Sequence, residues 1–261
     1  MTNFKAALRT LIRKPGFSLA VIAMFALGIA ANTAIFSIFD GMFLGSLPYP
    51  QPNQLLYLNE AAPRWNLTTT GIAYPDFVGW REQNRSFDGM AAFNDCVDTL
   101  SGMGEAQRVQ CAAVTYDLAP TLGIQPILGR NFTADEDKPK GAKVVILGYT
   151  LWQNKFAGAR DVLGKSIQLD DQPYQIVGVL PKTAVYPAQA ELWVPLQEDP
   201  NNHGGWYLDG VGRLKPGVTI EQARADLLRI HKGMISKFPD NTITFPTAIP
   251  LRDQYTGGYR L

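Results

Sequence analysis

Between Lys14 and Asp40 the chain carries no charged residue. Phe17 to Phe39 reads FSLAVIAMFALGIAANTAIFSIF, interrupted only by Ser18, Asn32, Thr33 and Ser37. As a helix this stretch reaches roughly 34 Å at about 1.5 Å per residue, enough to cross a hydrocarbon layer about 30 Å thick. Lys5, Arg9, Arg13 and Lys14 all precede it. Basic residues flanking a span stay on the cytoplasmic side, so the expected N-terminus is inside and everything after Asp40 is outside. A cleaved leader is the competing reading, with small residues at Gly28-Ile29-Ala30-Ala31. The apolar run continues from Thr33 to Phe39, however, which favours an uncleaved anchor. A buried core helix fits a charge-free run of this length poorly.

Two details go beyond anchoring. Ala26, Ala30 and Ala34 recur every fourth residue, with Asn32 beside them. Small residues at this spacing let a second helix approach closely, and an Asn can hydrogen-bond across the contact. Before the span, Phe4, Leu8, Leu11 and Ile12 share one helical face and Lys5, Arg9 and Arg13 another, ahead of a break at Pro15-Gly16. That pattern predicts a short amphipathic elbow on the inner membrane surface.

Four of the 24 basic side chains precede the first acidic one; the remaining 20 face 23 acidic groups. A mildly acidic body with a basic end argues against nucleic acid and for a membrane. After LPYPQPNQ (47–54), a Pro-rich linker, the pattern is mixed. Leu55–Leu58 is a strand, and Tyr74-Pro75-Asp76-Phe77 opens a helix. Ala91–Thr99 and Ala106–Thr115 form a hairpin around Gly102–Glu105. Lys143–Leu147 is an apolar strand, followed by a helix from Tyr149 to Phe156. Ser166–Leu169 and Tyr174–Val179 form a second hairpin around Asp170–Pro173. Thr219 and Gln222 make a capping box for a helix carrying Ile220, Ala223, Leu227, Ile230, Met234 and Phe238. Thr242–Leu251 closes the fold as a strand. Hairpins interspersed with helices predict an α+β fold behind one transmembrane helix.

Gly164-Lys165-Ser166 resembles the end of a phosphate loop, but the context is reversed. Such a loop follows a strand and opens a helix, so that free N–H groups meet phosphate. Here a helix ends near Gly158 and a strand begins at Ser166, which predicts an ordinary turn. His203 and His231 lie far apart without carboxylates or Cys at ligand spacing, so no metal site is expected. No G-x-S-x-G occurs, and no catalytic residue or cofactor is expected. Asp135-Glu136-Asp137 is expected to be a solvated acidic turn, with Thr133 and Glu136 as a capping pair. A hairpin turning at Met103-Gly104 sets Cys96 directly opposite Cys111. Facing residues of antiparallel strands lie about 4.5–5.5 Å apart at Cα, within disulfide range, and an oxidising outer compartment suits a bridge.

Taken together, RKPGFSLAVIAMFALGIAANTAIFSI, LPYPQPNQL, YPDFVGWREQNRSF, LGIQPILGRNF, VVILGYTLWQNKFAG, VLGKSIQLDDQPYQIVGVLP, ELWVPL and GRLKPGVTIEQARADL occur in an order that resembles the N-terminal part of MacB-like and FtsX-like permeases of bacterial ABC transporters. The resemblance implies a cytoplasmic elbow over 1–16, a transmembrane helix over 17–45 and a periplasmic core domain over 46–261. That domain is expected to have a porter-like subdomain built from both ends of the segment and an inserted second subdomain. The implied partners are the membrane, the remaining permease helices and a cytoplasmic ATPase subunit, with homodimerisation also compatible. The implied role is export or mechanical signalling from the bacterial inner membrane, without catalysis, and the chain is expected to be a fragment of a longer permease. A membrane-tethered or secreted periplasmic enzyme or binding protein is the alternative.

Overall fold

The computed structural model describes residues 47–257 except 103, 200, 201, 203, 204 and 236–241, and, among the first 46 residues, Gly16, Leu19, 23–30, Asn32 and Thr33. The chain divides into two compact units, 1–46 and 47–261. In the first unit, 23–30, Asn32 and Thr33 are helical and exposed, with Ala26, Ala30 and Asn32 among them. Lys5, Arg9, Arg13, Lys14 and Ala34 lie outside the described residues, as do His203 and Phe238. Among the described residues no helix is long and apolar enough to cross a membrane.

The second unit is a mixed α/β domain. In chain order it contains β1 (Leu55–Ala61), α1 (Tyr74–Gln83), β2 (Phe87–Ser101), β3 (Gln107–Val114), α2 (Leu118–Leu122), β4 (Leu128–Gly129), β5 (Val144–Leu147), α3 (Tyr149–Phe156), β6 (Ser166–Leu169), β7 (Gln172–Val179), β8 (Leu192–Pro195), β9 (Asp209–Leu214), α4 (Ile220–Met234), β10 (Phe245–Pro250) and α5 (Leu251–Gly257). One sheet runs β10-β1-β9-β2-β3-β8-β5-β7-β4, and β6 pairs with both β2 and β7.

That last pairing shapes the domain. β2 bonds β3, β3 bonds β8, β8 bonds β5, β5 bonds β7, β7 bonds β6, and β6 returns to β2 through Leu100 and Ser101. Six strands thus close a ring, which leaves no exposed edge along that path. Its interior is apolar: Leu100, Val109, Cys111, Val145, Leu147, Ile167, Leu169, Ile176, Val179 and Leu192 pack there, and Leu151 and Trp152 of α3 belong to the same core. The 15-residue β2 serves both this ring and the open half, where it pairs with β9.

In the open half, β1 lies between β9 and β10 and is buried along nearly its whole length. Leu56 and Leu58 pack with Phe77 and Trp80 of α1 and with Ala223, Leu227 and Ile230 of α4. Leu55 and Tyr57, alternating to the other face, join Phe93, Val114, Leu118, Leu122 and Trp193. Thr219 caps α4, accepting from Gln222 N while Gln222 returns its side chain to the cap amide.

Several boundaries differ from expectation: β1 runs on to Ala61 and β2 spans Phe87–Ser101, and two further differences have a local cause. The second hairpin turns over two residues, Asp170 and Asp171, both at positive φ (46° and 60°), so Pro173 lies within β7 opposite Gln168. Two consecutive positive φ values match the twist of paired strands, and Asp tolerates them. The last strand runs from Phe245 to Pro250 and not from Thr242 to Leu251; Pro250 has no N–H to extend the ladder, and Leu251 opens α5 with its side chain fully buried.

Candidate functional site

On the face of β1 turned toward α1 and α4, the alternation Leu56, Leu58 continues to Glu60. Glu60 is fully buried (0% exposed). Asp76, in the first turn of α1 beside Phe77, is also buried, as is His231 on the apolar stripe of α4 between Leu227 and Met234. Their ligating atoms lie within 4.8 Å of one another. His231 Nδ1 is 3.9 Å from Glu60 Oε1. Its Nε2 lies 2.9 Å from the Thr244 carbonyl, so Nε2 carries a hydrogen and donates it. His231 therefore does have carboxylate neighbours, contrary to the expectation from spacing. The fold brings together residues that sequence distance separates.

Burial, and then the nearby Asp76 charge, push the Glu60 carboxyl up to about 9. Thr244, Asp76 and Trp206 are its polar neighbours. Even so, neither Glu60 oxygen makes a hydrogen bond of ordinary geometry, and the buried Thr244 hydroxyl also lacks one. The preceding residue is committed elsewhere. Asn59 Oδ1 accepts from the amides of Glu60 (2.8 Å), Thr70 (3.1 Å) and Gly71 (3.0 Å), holding the chain after β1 against the strand.

In the ring, Cys96 and Cys111 are directly paired in the β2–β3 register, their Cα atoms 4.8 Å apart and their sulfurs in bonding contact. Cys111 is buried in the ring core, and Cys96 packs against it from a half-buried position.

Residues 18–230 match the family described as the MacB-like periplasmic core domain. The chain belongs to that family. The fold agrees. The periplasmic region of MacB from Actinobacillus actinomycetemcomitans is similar with a TM-score of 0.58 at 15% identity, over 80% of this chain and 93% of that one. A domain of a protein described as a permease from Porphyromonas gingivalis gives 0.60 at 15% identity, over 77% and 92%. The extracellular domain of the ABC-type transporter YknZ from Gram-positive bacteria gives 0.56 at 15% identity, over 74% and 99%. No curated protein matches the chain.

Within this MacB-like domain, Gly164-Lys165-Ser166 is a turn leading into β6. Gly164 N donates to Ile176 O, Lys165 N donates to Val162 O, and Lys165 O accepts from Ile176 N. The backbone donors a phosphate would need are already used, and Lys165 Nζ pairs with Asp161 at 2.9 Å.

The acidic turn of this MacB-like domain keeps the expected Thr133–Glu136 capping pair but is not solvated throughout. Asp135 is exposed and pairs with Lys138, but Glu136 makes a two-pronged contact with Arg130 (2.8 and 2.6 Å) and accepts from Thr133 N. Asp137 accepts from Tyr116 N and Gln197 N, tying three loops together. Burial pushes its carboxyl up to about 6 against those two donors. These acids fasten loops and are not a solvated cluster.

An open pocket of about 560 Å³ lies between α1, α2 and β9 of the MacB-like domain. Arg81 pairs with Asp117 at 3.6 Å, and Arg213 donates from Nε and Nη1 to the carbonyls of Thr121 and Pro50, while its buried Nη2 has no hydrogen-bond partner.

Proposed function

We propose that this chain is the membrane-anchored periplasmic part of an ABC-type permease, acting by conformational coupling and not by catalysis. The observation that carries the reading is the family match over 18–230, together with the charge-free stretch behind four basic residues. In this reading 1–16 is the cytoplasmic elbow, 17–45 the membrane helix and 46–261 the periplasmic core. Lys5, Arg9, Arg13 and Lys14 orient the helix, and the face bearing Ala26, Ala30, Ala34 and Asn32 packs against other permease helices. A cytoplasmic ATPase subunit drives the assembly. The half built from β1, β9, β10, α1 and α4 draws on both ends of the segment and corresponds to the porter-like subdomain. The closed ring corresponds to the inserted one.

A non-catalytic role fits the chemistry of the domain. The cluster of titratable groups around Glu60 is sealed from solvent, and the arginines of the open pocket are anchored to Asp117 and to the carbonyls of Thr121 and Pro50. A tag fused behind Leu261 tests the topology. In cells with a permeabilised outer membrane, added protease is expected to remove it while a cytoplasmic marker survives. A tag that stays protected until the inner membrane is broken would overturn the reading.

A further inference from the structure

We propose that Glu60, Asp76 and His231 form a structural site for one divalent transition-metal ion, with Zn²⁺ as the best-fitting ion. The inference is independent of the membrane topology.

The donor set has the composition such an ion takes, an imidazole nitrogen with two carboxylates. Both Glu60 oxygens are fully buried, and neither makes a hydrogen bond of ordinary geometry. Each of the three side chains supplies one ligand atom. His231 is prepared in the manner of a ligand histidine. Its Nε2–H is fixed on the Thr244 carbonyl, which orients the ring with Nδ1 3.9 Å from Glu60 Oε1. The buried Thr244 hydroxyl, also without a hydrogen bond, is placed to orient the Glu60 carboxylate.

The dimensions require a small adjustment. A tetrahedral ion with ligands at about 2.0–2.2 Å holds them roughly 3.3–3.6 Å apart. Spacings within 4.8 Å close to that range by side-chain rotation of about an ångström. The ion then joins β1, α1 and α4, which also meet through the apolar layer of Phe77, Trp80, Leu227 and Ile230 and, between α1 and α4, through Arg229 Nη2 donating to Gln83 O at 3.1 Å. Because the three side chains are buried, its role is to hold the fold. Metal affinity at such a site adds directly to folding stability.

The test uses the full chain in detergent, stripped with chelator and titrated with ZnCl₂. Bound metal is counted by elemental mass spectrometry after desalting. One equivalent per chain and a raised Tm are expected. Glu60→Gln and Asp76→Asn are each expected to lower affinity at least 10-fold, while Asp171→Asn, at an exposed hairpin turn, leaves it unchanged. X-ray absorption on the wild-type chain keeps the question decidable if either core variant fails to fold. A first shell of nitrogen and oxygen with one imidazole supports the site. A sulfur shell would assign the metal to Cys96 and Cys111 and overturn the proposal. Binding below about 0.1 equivalent, or one equivalent retained by both core variants, would overturn it as well.

Discussion

Cys96 and Cys111 stand opposite one another on β2 and β3, Cα atoms 4.8 Å apart, at the wall of the closed ring. The position points to a structural disulfide that pins the register of the hairpin feeding both halves of the sheet. A bridge closing a loop of this size restricts the unfolded chain by about 3 kcal/mol. The double variant Cys96→Ala/Cys111→Ala is therefore expected to lose about that much stability in chemical denaturation, and reductant should lower wild-type Tm but not that of the variant. Thiol blocking before reduction, followed by mass spectrometry, reads the state directly: alkylation of both cysteines without reductant would remove the bridge from the account.

Thr219 links a local signal to the buried cluster, since the helix it starts carries His231. Gln222 N donates to Thr219 Oγ1 at 3.2 Å, and Gln222 Oε1 accepts from Thr219 N at 2.9 Å. Thr219→Ala leaves a first-turn amide without its acceptor and is expected to cost about 1 kcal/mol. Thr219→Ser keeps the hydroxyl and should cost much less. Urea midpoints of the two variants check this, and equal losses would mean that the methyl group and not the cap matters.

The elements set by local rules were legible before the fold was known. Tyr149–Phe156, the Thr219 cap and the pairing of Cys96 with Cys111 all follow from spacing within one or two neighbouring elements. The sheet order was not, because strand neighbours such as β1 and β10, or β2 and β6, meet through contacts that no short window encodes. Glu60 and His231 were missed for the same reason, although each left a trace. Glu60 continues the buried alternation of Leu56 and Leu58, and His231 sits on the stripe of Leu227 and Met234. A charged or titratable group on an apolar face is the signal that could have found them. The acidic turn misled because composition suggests solvation, whereas Glu136 and Asp137 each meet partners on other segments.

Asp137 gives the domain a pH response whose sign follows from its environment. Its folded pKa of about 6 lies above the ordinary value near 4 for an unfolded Asp. The folded state therefore binds the proton more tightly. Burying the charged form costs stability above about pH 6, and this cost shrinks as pH falls toward about 4. Glu136 works in the opposite sense. The Arg130 contact holds its carboxyl below the usual range, so its contribution is present at neutral pH and is lost in stronger acid. Asp137→Asn removes the titration, and relative to wild type it should gain stability as pH rises from about 5 to about 8. Parallel stability profiles for the two proteins would show that Asp137 is not held near 6.

Lys165 separates a turn from a nucleotide site by two measurements with opposite expectations. A phosphate loop would lose ATP affinity on Lys165→Ala while tolerating the change structurally. The turn observed here has its amides bonded to Ile176 and Val162, so wild type is expected to show no ATP binding at all, and Lys165→Ala should change neither that result nor Tm, because its partner Asp161 is exposed. The sensitive position is the glycine before it. Gly164 sits at φ +80° with open space around it, so Gly164→Ala meets no neighbour but forces a side chain into left-handed backbone. That strain is expected to cost about 1 kcal/mol, seen as a lower denaturation midpoint. Saturable ATP binding that disappears in Lys165→Ala would reverse the assignment and restore a nucleotide role to this segment.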